Sequence, residues 1–214
     1  MKTVFLDLDG TLTDAGPGIL NSVAYTLEKM GLPSFAGDGT WMVGPPLWDS
    51  FRQLGVPEDA LDVAVQHYRD RYGHTGWLEN SLYDGILSEL KTLKSREYKL
   101  CIATSKHKTY ARKITQYFGI AEHMDHEFGS NSDGTHADKT SLIRYGMAQS
   151  DASSDQCVMV GDRNYDIIGA QNNGLRSLGV AYGYGGRQEL EKAGATEIIS
   201  KPSDLAEAII TLLS

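Results

Sequence analysis

The 214-residue chain has only two cysteines, Cys101 and Cys157. It holds no Cys-x-x-Cys pair and no cysteine–histidine cluster, which argues against a zinc site or a disulfide framework. Each cysteine lies in an apolar run and reads as a small buried hydrophobe in a reducing compartment. Positive charge is also short: 20 lysines and arginines face 28 acids, for a net charge of −8. A general nucleic-acid binder is expected to show a basic surface, so no nucleic-acid polymer is expected as a partner. An anionic substrate would then need local cations or a metal. No apolar run is long enough to span a membrane, and the single lysine ahead of an acid-interrupted apolar run is not a secretory signal. The expectation is a cytoplasmic protein without a membrane partner. Neither internal repeats nor low-complexity segments occur. With 41% hydrophobic and 22% charged residues, the composition is that of an ordinary soluble protein, long enough to bury a sizeable core.

The stretch Val4-Phe5-Leu6-Asp7-Leu8-Asp9-Gly10-Thr11-Leu12-Thr13 organises what is present. Its apolar positions read as a buried strand of a parallel sheet over residues 3–8. Asp7 and Asp9, two apart on an extended chain, point to the same side. Gly10 then allows a sharp turn. Further buried strands are expected at Lys99–Thr104, Cys157–Asp162 and Arg176–Tyr182, with shorter ones at 126–129 and 196–199. Helices are expected between them, at 85–95, 107–118, 139–147, 165–173, 187–193 and 203–213. This alternation implies βαβ units and a doubly wound, Rossmann-like parallel sheet. Residues 14–82 interrupt it with helical patterns and no convincing strand. They read as an all-α module inserted in a core made of residues 1–13 and 83–214.

Polar groups stand at three strand ends: Asp7 and Asp9 on the first, Thr104 and Ser105 on the second, and Asp162 on the fourth, with Asp166 one helical turn later. In open α/β sheets such ends converge where ligands bind. Carboxylates crowded there repel unless a cation sits among them. Oxygen donors without histidine or cysteine point to a hard ion, most naturally Mg²⁺.

Four segments, in order, resemble the motifs of the haloacid dehalogenase superfamily of phosphotransferases. They are Asp7-Leu8-Asp9-Gly10-Thr11-Leu12-Thr13, Thr104-Ser105, Lys139, and Gly161-Asp162-Arg163-Asn164-Tyr165-Asp166. By that resemblance Asp7 attacks phosphorus and forms an aspartyl-phosphate, and Asp9 protonates the leaving group and later activates water. Thr104, Ser105 and Lys139 hold the phosphoryl oxygens. Mg²⁺ is held by the Asp7 side chain, the Asp9 backbone carbonyl and Asp162, with Asp166 acting through a water or a neighbouring ligand. Gly10 permits close approach to the phosphate, and the Thr11 region supplies backbone donors. One departure is that Lys139 is followed by Thr140 where the family often has proline, which leaves Lys106 as a rival phosphate partner.

The 14–82 module resembles the family's small helical cap. Val43-Gly44-Pro45-Pro46-Leu47 is similar to a loop of the phosphoglycolate-phosphatase-like branch. Ser132-Asp133-Gly134-Thr135 and Gly179-Val180-Ala181-Tyr182-Gly183-Tyr184-Gly185 resemble that branch too, including its 5'-nucleotidase-like members. The expected function is a Mg²⁺-dependent phosphatase of small phosphate monoesters, phosphoglycolate-phosphatase-like. A 5'-nucleotidase, a sugar-phosphate phosphomutase and a non-catalytic phosphate-ligand binder are the alternatives. A haloacid dehalogenase is disfavoured, because those relatives do not keep the acid found here as Asp9.

Each residue also has a plainer reading. Asp9-Gly10 is a common turn pair. Thr104-Ser105 suits a helix N-cap, Asp166 favours a helix N-terminus, and a single lysine such as Lys139 is ordinarily solvated. A calcium loop fails, because Thr11 and Leu12 do not fit its ligand and glycine positions. In the inserted module Arg52, His67, Arg69, Arg71 and His74 read as surface residues rather than substrate contacts. Trp41, Met42 and Trp48 suit packing as well as a substrate wall.

Overall fold

The computed structural model describes residues 1–131 and 133–214. Ser132, at the start of one branch-like segment, lies outside the described residues. The chain forms two compact units, Met1–Thr13 with Leu82–Ser214, and Asp14–Ser81.

The first unit is an α/β fold around a six-stranded sheet. Its strands are β1 (Thr3–Leu6), β4 (Lys99–His107), β5 (His126–Ser130), β6 (Cys157–Gly161), β7 (Arg176–Val180) and β8 (Glu197–Ile199), in the order β5-β4-β1-β6-β7-β8. Every pairing is parallel. Parallel strands are covered on both faces, so β1 and β6 read as unbroken apolar runs and are buried throughout. Phe5, Cys101, Phe128, Leu142, Ile143 and Met159 share one core cluster. Both cysteines are buried and free. Burial pushes the Cys101 thiol up to about 12 and the Cys157 thiol up to about 11, which leaves them protonated and unreactive.

Five helices join the strands and one closes the chain: α4 (Ile86–Ser95), α5 (Lys108–Tyr117), α6 (Lys139–Ser150), α7 (Asn164–Asn172), α8 (Gly186–Ala193) and α9 (Leu205–Leu212). The chain order runs outward from β1 to β4 and β5, then restarts on the other side of β1 with β6. That reversal makes the carboxyl end of β1 the switch point where ligands bind in such sheets. Leu6 is level with Ile102 on one side and Val160 on the other. Asp7 and Asp162 therefore follow their strands onto one edge, and Thr104 stands two residues past Ile102 within β4.

The second unit is helical: α1 (Gly16–Lys29), α2 (Leu47–Gln53) and α3 (Leu61–His74), with short 3₁₀ turns between them. Pro17 in the first turn presets the entry to α1. Ile19, Val23 and Leu27 repeat at three- and four-residue spacing and are buried. Phe51 meets Tyr68 edge-on at 6.4 Å, and Tyr68 stacks on Tyr72 at 5.4 Å. Two-residue strands, β2 (Thr13–Asp14) and β3 (Ser81–Leu82), stand where the chain passes between units and form a separate two-stranded sheet. Residues 14–82 are thus not wholly free of strand.

Two expectations about strand ends need correction. The first strand stops at Leu6, not at residue 8, because the chain turns at once: the Thr11, Leu12 and Thr13 N–H groups all donate to the Leu8 carbonyl. The second strand does not end at Thr104 but continues to His107, with an irregularity in which three residues of β4 advance for one of β5. Among the described residues no helix is long and apolar enough to cross a membrane.

Candidate active site

The first acid is Asp7, carried out of β1 at the sheet edge. Its N–H donates to the Val160 carbonyl of β6 at 2.9 Å, which ties it to the strand that leads into Asp162. Lys139 reaches it from the first residue of α6. That helix is started by Asp138, whose carboxylate accepts the Ser141 N–H at 2.9 Å. Lys139 Nζ lies 2.7 Å from the Ala103 carbonyl, 2.8 Å from Asp7 Oδ1 and 2.8 Å from Asp166 Oδ1. An ammonium has three N–H donors, and these three acceptors match them. Burial alone would lower the Lys139 pKa, but the Asp166 and Asp7 carboxylates outweigh it and hold the group above its ordinary value. Lys139 is thus a buried cation, not a solvated surface lysine.

Asp7, Asp162 and Asp166 each present a carboxyl oxygen, all within 4.8 Å of one another. Asp9 stands in the turn after β1, and its Oδ2 is 2.6 Å from Lys106 Nζ. The irregular stretch of β4 leaves Ser105 and Lys106 outside the regular ladder, a place where backbone irregularities re-aim side chains. Lys106 meets Asp9, whereas Lys139 meets Asp7 and Asp166.

Burial raises the Asp9 carboxyl above its usual range, an effect Lys106 partly offsets. Asp166 is pushed up to about 6, chiefly by burial against the opposing pull of Lys139. Asp162 is raised well above the ordinary value, first by burial and then by the negative Asp166 and Asp7. One of its oxygens, Oδ2, accepts the Tyr184 N–H at 2.8 Å, while the buried Oδ1 accepts no hydrogen bond. A buried carboxylate oxygen without a partner is costly. Lys139 meets two of these three acids and leaves Asp162 without a cation, so the oxygen donor set fits a hard divalent ion. Asp166 is differently placed, since its oxygens already meet Lys139 Nζ and the Arg163 N–H, the latter at 3.1 Å.

Gly10 has a positive φ of 85°, and a Cβ there would lie 2.2 Å from Asp162 Oδ2. The close approach that this glycine permits within the chain is to the Asp162 carboxylate. The backbone donors expected from the Thr11 region are also engaged: the Gly10 N–H donates to Thr13 O and the Thr11 N–H to Leu8 O. Tyr182 pins the same turn by donating its hydroxyl to Thr11 O at 2.8 Å. Gly183 is equally confined, since its Cβ would meet Asp162 Cβ at 2.3 Å. The grip of residues 182–184 on this site was not foreseen, although their glycine spacing was a signal for it. Thr104 is buried within β4, and its hydroxyl accepts the Lys106 N–H at 3.3 Å.

Several cations of the helical unit are engaged within that unit. Arg71 pairs bidentately with Glu79, at 2.8 and 2.9 Å, and also donates to Ser22. Arg52 pairs with Asp49 and Glu58. Arg69 lies over the Trp48 ring, 5.3 Å from its centroid. Met42 is a buried packing residue.

A sequence profile described as haloacid dehalogenase-like hydrolase matches residues 4–180. A 5'-nucleotidase of Pseudomonas aeruginosa is 40% identical over 190 residues, covering 87% of this chain and 86% of that protein. The tyrosine-protein kinase PtkA of Mycobacterium tuberculosis is 38% identical over 198 residues, covering 92% of this chain and 68% of that protein. A phosphoglycolate phosphatase of Colwellia psychrerythraea is 26% identical, with 90% of each chain covered. Among solved structures, a predicted phosphatase from Clostridium acetobutylicum superimposes with a TM-score of 0.93 at 39% identity, covering 98% of both chains.

Proposed function

The chain belongs to the haloacid dehalogenase-like hydrolase family, and on that premise we propose that it is a Mg²⁺-dependent phosphoric monoester hydrolase working through an aspartyl-phosphate on Asp7. The observation that carries this reading is the meeting of Asp7, Asp162 and Asp166 at one sheet edge with the buried Lys139 ammonium between two of them.

The roles follow from the chemistry of each group. A carboxylate is a ready nucleophile, and Lys139 Nζ lies 2.8 Å from Asp7 Oδ1. Asp7 Oδ attacks phosphorus, the new O–P bond forms, and the bond to the leaving oxygen breaks. Asp9, raised by burial, carries the proton to that oxygen and then takes one from the water that cleaves the acyl phosphate. Thr104, Ser105 and the Lys139 charge hold the phosphoryl oxygens. Asp7, Asp162 and the Asp9 carbonyl would hold Mg²⁺, with Asp166 supporting them. When bound, the ion supplies charge neutralisation for the phosphoryl group. The helical unit serves as the cap that selects substrate.

For the substrate we favour a nucleoside 5'-monophosphate over phosphoglycolate, because the 5'-nucleotidase relative is 40% identical and the phosphoglycolate phosphatase 26%. A second reading, phosphoryl transfer to a tyrosine, is favoured by the 38% identical relative of that name. One experiment separates them. Phosphate release is measured with Mg²⁺ over nucleotides, phosphoglycolate and sugar phosphates, beside an arm with ATP and a tyrosine-containing polypeptide, and Asp7→Asn serves as control. Release from nucleoside monophosphates that is lost in the control supports the leading reading. Transfer to tyrosine without hydrolysis would overturn it.

A further inference from the structure

The turn from Asp162 to Asp166 leads into α7, and the N3 residue Asp166 accepts the N-cap Arg163 N–H at 3.1 Å. The first N–H groups of a helix lack partners within it, and a Ser, Thr, Asp or Asn at the N-cap usually accepts one of them. Here the N-cap is Arg163, a residue type whose guanidinium only donates hydrogen bonds. A carboxylate arrives instead from α8. Glu189 Oε1 accepts the Asn164 N–H at 2.8 Å, and the same oxygen accepts from Arg163 Nε at 2.9 Å. The contact is largely shielded, with the Arg163 and Glu189 side chains 11% and 28% exposed.

The segment that carries Glu189 also touches the other end of the turn. The Tyr184 N–H donates to Asp162 Oδ2 at 2.8 Å. Gly185 packs so closely that its Cβ would lie 2.3 Å from the Asp162 carbonyl and 3.0 Å from Glu189 Oε1. Residues 184–189 therefore grip the turn at Asp162 and again at the start of α7. A negative group at a helix N-terminus is also favoured by the helix dipole. Glu189 is not one of the three acids that share the candidate metal position, so it acts only through the backbone that bears them.

We propose that Glu189 is a positioning residue for the metal centre, supplying from α8 an acceptor for the Asn164 N–H that opens α7 and so holding Asp162 and Asp166 at the separation a divalent cation requires. The inference rests on the reading of Asp7, Asp162 and Asp166 as the Mg²⁺ site. Mg²⁺ demands near-ideal octahedral geometry at short distances, so a small slackening of the turn is read directly as lost affinity. Groups that orient metal ligands from behind typically change metal affinity by 10–100-fold when removed.

The test is Mg²⁺ titration calorimetry on the full chain, with circular dichroism to confirm the fold. Glu189→Ala is expected to raise the Mg²⁺ dissociation constant by about tenfold, with kcat largely recovered at saturating Mg²⁺. Glu189→Gln keeps an oxygen that accepts both hydrogen bonds, and is expected to stay within about threefold of the original affinity. If Glu189→Ala does not fold, Glu189→Asp takes its place, since the shorter arm withdraws the carboxylate from Asn164 while keeping the charge; the same tenfold loss is expected. A folded Ala or Asp variant within about twofold of the parent would overturn the inference, as would a Gln variant as weak as the Ala one. No Mg²⁺ binding by the unmodified protein would instead refute the metal-site reading itself.

Discussion

In the core unit Lys139 is buried and meets two carboxylates and a carbonyl at 2.7–2.8 Å, beside a further carboxylate, Asp162, that it does not balance. In the helical unit Arg71 keeps a fifth of its side chain exposed and pairs one-to-one with Glu79, which it holds below the usual carboxylate range. The helical pair is locally neutral and ties α3 to the segment that follows it, a structural role. The core cluster carries more acid than its buried lysine offsets. Excess buried charge of one sign is unfavourable, and its persistence at the switch point of the sheet is what marks that edge as functional.

The sharpest way to break this contrast is at the nucleophile. Asp7→Asn is nearly isosteric but removes the attacking carboxylate, and phosphate release should fall at least about a thousandfold. Substantial residual turnover would remove Asp7 from that role. The next comparison is between the two cations. Lys139→Ala strands buried carboxylates and should cost about 3–5 kcal/mol in urea unfolding. Arg71→Ala breaks a partly exposed pair and should cost about 1 kcal/mol with phosphate release retained. Equal losses would show that the core cluster holds no special strain.

Metal and pH sharpen the contrast further. Asp162 and Asp166 have folded pKa values raised above those of the unfolded chain, Asp166 to about 6. In metal-free protein they bind more protons folded than unfolded, so their contribution to stability is favourable at low pH and is lost as pH rises, for Asp166 through about 6. A cation competes with those protons. Saturating Mg²⁺ should therefore raise the melting temperature more at pH 7.5 than at pH 5, with a gain of about 2.7 kcal/mol at a hundredfold excess over its dissociation constant. An equal shift at both values would place the ion elsewhere.

A pair of glycines offers a further contrast between the units. Gly18→Ala in the helical unit would set a Cβ 1.9 Å from the Gly76 carbonyl, and Gly183→Ala would set one 2.3 Å from Asp162 Cβ. Both should cost about 1–3 kcal/mol of stability from overpacking. Calorimetry should find Mg²⁺ affinity reduced in Gly183→Ala and unchanged in Gly18→Ala.

Much of the fold was legible because its signals are local. The unbroken apolar runs at β1 and β6 announce strands buried on both faces, and three- and four-residue spacing announces α1. Asp166 was expected in the first turn of a helix and stands in the first turn of α7. What was misjudged depends on where one element stops. Residues 7–8 looked like strand because Leu8 is apolar, yet its carbonyl is the hub of a tight turn. Lys106 looked like a loop residue near Thr104 because nothing in the sequence reveals an irregular register against β5.

The sequence by itself determined the kinds of group present and their order: acids after apolar strands, hydroxyls after another, and no cysteine or histidine set to compete for a hard ion. Spacing governs only neighbours within a turn or two, so it could not decide partners across the sheet. The tertiary structure decided that Lys139 meets Asp7 and Asp166, that Lys106 meets Asp9, and that Glu189 caps a helix beginning 25 residues earlier. Those pairings follow from strand register and helix packing, which bring charges from distant segments into one buried volume where each must find a partner.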